Sequence, residues 1–227
     1  MNKSFFQTRD KLEIYFDKTA SQAWERLTSD LPVSGIRKSV RNGRNQMREI
    51  LLSSLPKDLG GMRILDAGCG TGQLTCELAR RGANVLATDI SKTLIEIAKD
   101  RLPPDHSKKV QFKVGDMMDP KNGDFDYVVA MDSLIHYPKT DILSTLINFS
   151  QRTSIGVSFT LIPTNLILWL KLSLGKLLPK SDRSPQICPV NSKEFIKELG
   201  TILKLEQLGL VNSSGVISTG FYTSEAM

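Results

Sequence analysis

Near the start of the chain, apolar residues recur at intervals of three and four: Leu12, Tyr15, Phe16, Ala20, Ala23, Trp24 and Leu27. That period predicts an amphipathic helix, which Ser29, Asp30, Pro32 and Gly35 bring to an end. A second helix is expected from Ile36 to Leu55, stopping at Pro56. From Arg63 the texture changes to short apolar runs separated by helix-length intervals or by Gly, Pro and Asp. The runs are RILDA (Arg63–Ala67), ANVLATD (Ala83–Asp89), VQFKVGD (Val110–Asp116), FDYVVAMD (Phe125–Asp132) and IGVSFTLI (Ile155–Ile162). Strands alternating with helices predict an α/β fold, a mostly parallel sheet with helices on both faces. The remainder adds a helix in NSKEFIKELG and a closing pair of strands in LKLEQL and GVISTGFYTS. The expected organisation is a helical N-terminal arm or lid over residues 1–57 and an α/β domain over 58–227.

Composition narrows this picture only slightly. With 227 residues, 40% of them hydrophobic, the chain can build one packed domain with an arm attached. A net charge of +6 suits nucleic acid, a membrane surface or a carboxylate-bearing substrate. No aromatic interleaving or recognised motif accompanies the charge, which disfavours nucleic acid. The three cysteines, Cys69, Cys76 and Cys188, have neither disulfide nor metal-site spacing, and no signal-peptide core opens the chain. The most apolar stretch, Leu166–Leu178, contains Lys171 and Lys176 and falls short of the ~20 residues that span a bilayer. A reducing, cytoplasmic location is expected.

The chemistry begins at the first strand. Asp66, Gly68, Gly70 and Gly72 alternate through the turn before a helix that should start near Gln73, and Asp89 ends the second apolar run. A dinucleotide fold would use Gly-x-Gly-x-x-Gly with a pyrophosphate at the helix N-terminus. Here the leading acid would repel a pyrophosphate but hold an ammonium group, which favours S-adenosylmethionine over NAD. Asp89 is placed to accept hydrogen bonds from ribose hydroxyls. The pattern resembles motif I of the class I S-adenosylmethionine-dependent methyltransferases, with a Rossmann-like fold. TDIS, VGDMMD and FDYVVAMDSLIHYP continue the resemblance in order. It implies that Asp66 and the three glycines form the cofactor loop and that Asp89 and Ile90 meet the ribose. Asp116 with Met117 would flank the adenine, and Met131 would complete the cofactor set. Cys69 and Cys76 are expected to be buried fillers.

Four further stretches are more particular: Tyr15–Arg48, AMDSLIHYP, LLPKSDRSPQICPV and STGFYTSEA. With the cofactor motifs they resemble the magnesium-protoporphyrin IX O-methyltransferase family of bacteriochlorophyll and chlorophyll biosynthesis, over nearly the whole chain. The resemblance implies methyl transfer to one propionate of magnesium protoporphyrin IX, giving the monomethyl ester. Magnesium would arrive inside the porphyrin, so no protein metal site is expected. A propionate is already an anion at neutral pH, and alignment in a dry site matters more than a strong base. Three alternatives stay open: a methyltransferase for another hydrophobic acceptor such as a quinone precursor, a nicotinamide oxidoreductase, and a non-catalytic tetrapyrrole carrier.

On the acceptor side, His136 follows the fourth strand, at the carboxyl end of the sheet where such folds bind ligands. It is assigned as hydrogen-bond donor to the propionate or axial contact to magnesium, against the plainer role of a structural loop histidine. Tyr15 is the second catalytic candidate, on a helix that either closes over the site or packs permanently on the core. Trp24 and Trp169 are candidates for the porphyrin face, and Arg183 for gripping the propionate that is not methylated. Arg37, Arg41, Arg44 and Arg48 form one basic helical stripe, either a solvated face or an attractor for an anionic porphyrin or lipid. The apolar insertion at about 163–190 would line the tetrapyrrole, rest on a membrane or pack on the core. Transient contact with magnesium chelatase and peripheral association with the inner face of the membrane complete the expected partners.

Overall fold

Helix formation begins well before the apolar stripe. In the computed structural model, which describes residues 3–164, 187–201, 203–213 and 216–226, α1 spans Lys3–Tyr15. It runs into a π-helical turn at Phe16–Ala20 and continues as α2, Ser21–Leu27. A π-turn carries one extra residue and so rotates everything beyond it by about 100° relative to an unbroken helix. The predicted stripe therefore does not stay on one side: Leu12 and Ala20 are buried, whereas Ala23 is exposed. The second predicted helix is α3, Gly35–Ser53, which buries Met47, Leu51 and Leu52 along one face.

The strands follow the predicted runs: β1 (Arg63–Ala67), β2 (Asn84–Asp89), β3 (Val110–Val114), β4 (Phe125–Ala130) and β5 (Thr153–Leu161). Between them lie α4 (Gln73–Arg80), α5 (Lys92–Arg101) and α6 (Lys139–Gln151). After them come α7 (Ser192–Leu199), β6 (Leu203–Ser213) and β7 (Val216–Ala226). The sheet order is β3-β2-β1-β4-β5-β7-β6. The first five strands are mutually parallel, and β7 is antiparallel to both β5 and β6. The chain winds outward from β1 to β3 and then returns to the other side of β1. The carboxyl ends of β1 and β4 thus flank a switch point, where open α/β sheets bind their ligands.

Period-two alternation divides the interior between the two faces of the sheet. Leu65, Leu86 and Val128 point into a core closed by Phe5 and Leu12 of α1, Ile142, Leu146 and Phe149 of α6, and Phe195 and Leu199 of α7. Ile64, Val85, Ala87, Tyr127 and Val129 point to the other face, under α3, α4 and Ile95 of α5. The arm is thus part of the core: Phe5 is 1% exposed and stacks on Tyr137 at 4.7 Å between ring centroids.

Polar contacts fasten the rest of the arm. Ser4 donates to Asp141 at 2.9 Å, and Asp17 in the π-turn accepts from the Ser91 hydroxyl and the Thr93 N–H at the start of α5. At the end of α2, Arg101 and Gln73 both donate to the Thr28 carbonyl, at 3.2 and 2.7 Å.

The predicted insertion lies outside the described residues over 165–186, but its two ends are in place. Pro163 bridges Val190 in parallel, and the Cys188 N–H donates to the Ile135 carbonyl at 2.8 Å. The segment therefore leaves and rejoins the sheet beside His136.

Candidate active site

β1 ends in the acid and loop singled out from the sequence. The Gly68 and Cys69 N–H groups both donate to the Thr88 carbonyl, at 2.9 and 3.0 Å, folding the loop back over β2. Gly68 adopts φ +81°, and a Cβ there would lie 2.4 Å from the Ser133 Cβ; one at Gly72 would lie 2.9 Å from the Ala98 Cβ. Glycine is needed at the first for close approach to the loop after β4, and at the second for packing α4 against α5. The Gly70 N–H instead donates to Asp89 Oδ2 at 2.8 Å, tying the loop to the end of β2.

Three carboxylates from three consecutive strand ends meet at this place. Asp66 is 1% exposed and accepts a hydrogen bond from Thr75 Oγ1 at 2.6 Å. Burial pushes its pKa up to about 7, over the opposing effect of Thr75, and the nearby Asp89 charge adds to the rise. Asp89 rises to about 6 for the same first reason, held back by the N–H groups of Ser91 and Gly70. These two backbone bonds use one lone pair on each Asp89 oxygen, so capacity for further donors remains. Asp116 accepts from the Met118 N–H at 2.8 Å and from Arg9 Nη1 at 3.0 Å.

The acids face a cavity of about 930 Å³, its mouth included, at the carboxyl ends of β1, β2 and β4. Gly68, Gly70, Ile90, Met117 and Met131 line it, as do Trp24 and His136. Thr88 Oγ1 and Ser133 Oγ also stand in its wall, buried and without a hydrogen-bond partner among the described residues. A buried carboxylate that forms no ion pair among the described residues, with two orphaned hydroxyls nearby, fits a ligand carrying an ammonium group and hydroxyls of its own. S-Adenosylmethionine is such a ligand. Asp66 would hold the ammonium and Asp89 the ribose. Cys69 is a filler in this wall, its thiol pushed well up by burial and thus kept neutral.

Comparison with known proteins shows the family. Residues 64–154 match a family described as "Methyltransferase domain", and residues 130–227 one described as "Magnesium-protoporphyrin IX methyltransferase C-terminus". The magnesium-protoporphyrin O-methyltransferase of Rhodobacter capsulatus is 48% identical across 100% of this chain and 98% of its own length. The chain belongs to the magnesium-protoporphyrin O-methyltransferase family. Its fold is that of the magnesium protoporphyrin IX methyltransferase of Synechocystis PCC 6803, solved with bound S-adenosylhomocysteine: TM-score 0.80 and 23% identity, covering 96% of this chain and 99% of that one. A ubiquinone biosynthesis O-methyltransferase from Acinetobacter baylyi is only 25% identical, over 83% of the chain and 80% of its own length. The family match over residues 130–227 and the full-length match at 48% favour the porphyrin reading over the quinone one.

Within this family frame the acceptor-side candidates divide. His136 ends a short 3₁₀ turn, 7% exposed, with its ring 6.0 Å from that of Phe16. Tyr15 does not reach the cavity wall. It packs edge-on against Phe16, which does, with 5.2 Å between ring centroids. Gly72 likewise stands behind the loop rather than in the wall. Trp169 and Arg183 lie outside the described residues.

The arginine stripe serves several purposes. Arg41 closes the end of α2 by donating to the carbonyls of Leu27, Arg26 and Leu31 at 2.9, 2.7 and 2.8 Å. Arg37 is exposed, and Arg44 and Arg48 face the cavity. The sequence reading missed Arg9, Phe16 and Asp132. Arg9 and Asp132 are lone charges whose partners lie 107 and 88 positions away. Phe16 was visible only as one more apolar residue in the stripe.

Proposed function

We infer that this chain transfers the methyl group of S-adenosylmethionine to a propionate carboxylate of magnesium protoporphyrin IX, releasing the monomethyl ester and S-adenosylhomocysteine. The observation that carries this is the 48% identity to the Rhodobacter capsulatus enzyme over the whole chain, arm and C-terminal region included. When bound, the donor supplies an electrophilic methyl group on a sulfonium. The protein's own work is holding and aligning. Asp66 and Asp89 hold the two ends of the donor's polar surface, and the apolar rings opposite exclude water from the acceptor carboxylate. An anionic nucleophile needs no base to deprotonate it, so orientation and desolvation carry the rate.

In this reading His136 orients the reacting propionate or meets the porphyrin magnesium, and the helical arm over residues 3–53 acts as a lid with Phe16 and Trp24 on its inner side. Tyr15 belongs to that arm, one ring behind Phe16. His136→Gln is expected to lower kcat by about tenfold or more with S-adenosylhomocysteine affinity unchanged, whereas Tyr15→Phe, behind Phe16, is expected to change kcat little. A large loss of kcat in Tyr15→Phe would instead bring the hydroxyl into the mechanism.

Peripheral contact with an anionic membrane face and transient contact with magnesium chelatase belong to the same proposal. The net charge of +6 and the apolar Leu166–Leu178 stretch support the first, and the need to receive a freshly metallated porphyrin supports the second. Among the described residues no helix is long and apolar enough to cross a membrane. Liposome flotation reads the membrane contact directly.

The activity itself is tested by incubating the purified chain with S-adenosylmethionine and magnesium protoporphyrin IX and weighing the porphyrin product. A gain of one methyl group is expected, with metal-free protoporphyrin as the control for magnesium. Methylation of a quinone precursor with no porphyrin ester would overturn the assignment.

A further inference from the structure

Three arginines face the cavity from the arm: Arg9, Arg44 and Arg48. Arg9 is taken up by Asp116 and Asp10, and Arg48 donates to Gln73 Oε1 at 3.3 Å. Arg44 is set up differently. Its Nη1 donates to Asp132 Oδ2 at 2.6 Å, and its guanidinium lies over the Trp24 ring, 4.5 Å from the centroid. Among the described residues, its Nε and Nη2 make no hydrogen bond. From Trp24 a row of rings continues to Phe16 at 5.7 Å and on to His136 at 6.0 Å. One end of an aromatic wall thus carries a cation with donors to spare.

Its partner is strained into place. Asp132 follows β4 at φ +57°, the one positive value for a residue other than glycine among the described residues. Thr160 holds it there: the Asp132 N–H donates to Thr160 Oγ1 at 2.7 Å, and that hydroxyl lies 3.3 Å from Asp132 Oδ1. Backbone strain of this kind persists where surrounding structure enforces it, and it concentrates at ligand clamps.

Building on the functional reading above, we propose that Arg44 grips the propionate of magnesium protoporphyrin IX that is not methylated. Asp132 is its positioning residue, a stand-in carboxylate that holds the guanidinium until the substrate's own carboxylate takes its place. With the Trp24 ring on one side and Asp132 on Nη1, the Arg44 guanidinium is fixed in place, as two parallel hydrogen bonds to a carboxylate require. Exchanging one carboxylate for another keeps the largely buried cation paired throughout, while the released Asp132 carboxylate retains the Thr160 hydroxyl at 3.3 Å. The ring row beside it, tilted edge to face at 67° and 65°, gives the macrocycle an apolar wall to pack against. A two-pronged grip also suits the propionate that does not react, because charge-assisted hydrogen bonds to both oxygens would make the reacting carboxylate a weaker nucleophile. The sequence assigns this role to Arg183, so the two assignments make different predictions.

The test measures binding of magnesium protoporphyrin IX, its monomethyl ester and its dimethyl ester by porphyrin fluorescence. The proteins are the wild type, Arg44→Met, Arg44→Lys and Asp132→Asn, with S-adenosylhomocysteine calorimetry on each. Arg44→Met is expected to weaken the diacid and the monoester by about tenfold or more, and Arg44→Lys by less. Dimethyl ester and S-adenosylhomocysteine binding should stay at the wild-type level in both, which also shows that the variants fold. Asp132→Asn, a residue type that tolerates positive φ, is expected to tighten the diacid and monoester by removing the competitor. Loss confined to the diacid would put Arg44 on the reacting propionate and overturn the proposal. Equal loss for the dimethyl ester would reduce its role to packing, and loss of S-adenosylhomocysteine affinity would move it to the cofactor. Unchanged porphyrin binding would return the role to residues such as Arg183. A wild-type protein that binds none of the three porphyrins would instead sink the functional reading, and this assignment with it.

Discussion

Gly68→Ala is expected to abolish cofactor binding and to lower stability by about 2–5 kcal/mol, the sum of left-handed backbone strain and core overpacking. The added Cβ would stand 2.4 Å from the Ser133 Cβ, a contact that neither backbone can relieve cheaply. The Gly68 N–H is pinned to the Thr88 carbonyl at 2.9 Å, and Ser133 lies in the loop leading to His136. Any shift that accommodates the methyl group must therefore open the cofactor loop or displace the acceptor side. Gly61 supplies the control. It has the same φ of +81°, yet a Cβ there would meet no atom within 4 Å, so Gly61→Ala isolates the backbone cost of about 1–2 kcal/mol. Denaturant unfolding and S-adenosylhomocysteine calorimetry on both variants decide the matter. Equal behaviour of the two would mean that close approach at Gly68 is not what the loop requires.

Asp66→Asn is expected to weaken S-adenosylhomocysteine binding by about 10–100-fold, the usual range for losing a charged hydrogen-bond partner in a buried site. The pH dependence identifies the group. Its pKa in the folded chain is raised from 3.8 to about 7, so the fold itself favours the protonated acid. The stability that this group contributes is therefore fully present below its unfolded pKa and is lost as pH rises through 7. Ligand binding has the opposite sign, because an ammonium group requires the carboxylate. Affinity in the wild type should decline below pH 7, by up to about tenfold per unit from this group alone, and more steeply below 6, where Asp89 joins it. In Asp66→Asn the decline between pH 7 and 6 should vanish, and stability should lose its fall between about pH 4 and 7. Calorimetry across that range measures the first and unfolding curves the second. A variant that binds like wild type at pH 8 would move the ammonium site elsewhere.

Much of this site was legible because its parts are local. Asp66, Gly68 and Gly70 belong to one turn, and Asp89 and Asp116 each stand at or just beyond the end of a strand whose alternation is plain in the chain. Once those strands are parallel, their carboxyl ends must converge, so the cofactor wall needs no long-range information. The tetrapyrrole side is different. The Arg9–Asp116 and Arg44–Asp132 pairs join the arm to strand ends across 107 and 88 positions, and nothing near either arginine marks it as different from its neighbours. Arg41 shares the stripe with Arg44 and spends its donors closing a helix.

What the amino-acid order determined by itself was the α/β sheet, the glycine loop and the acids that suit a cationic donor, since each depends on residues adjacent in the chain or on a period of two. The tertiary structure alone decided which arm residues meet the cavity. Neighbours on a helix point about 100° apart, and a π-turn with no visible sequence signal shifts the frame by one residue. Phe16 rather than Tyr15 faces the site because the docking of the arm through Phe5, Leu12 and Asp17 sets the rotation that the apolar spacing left undetermined.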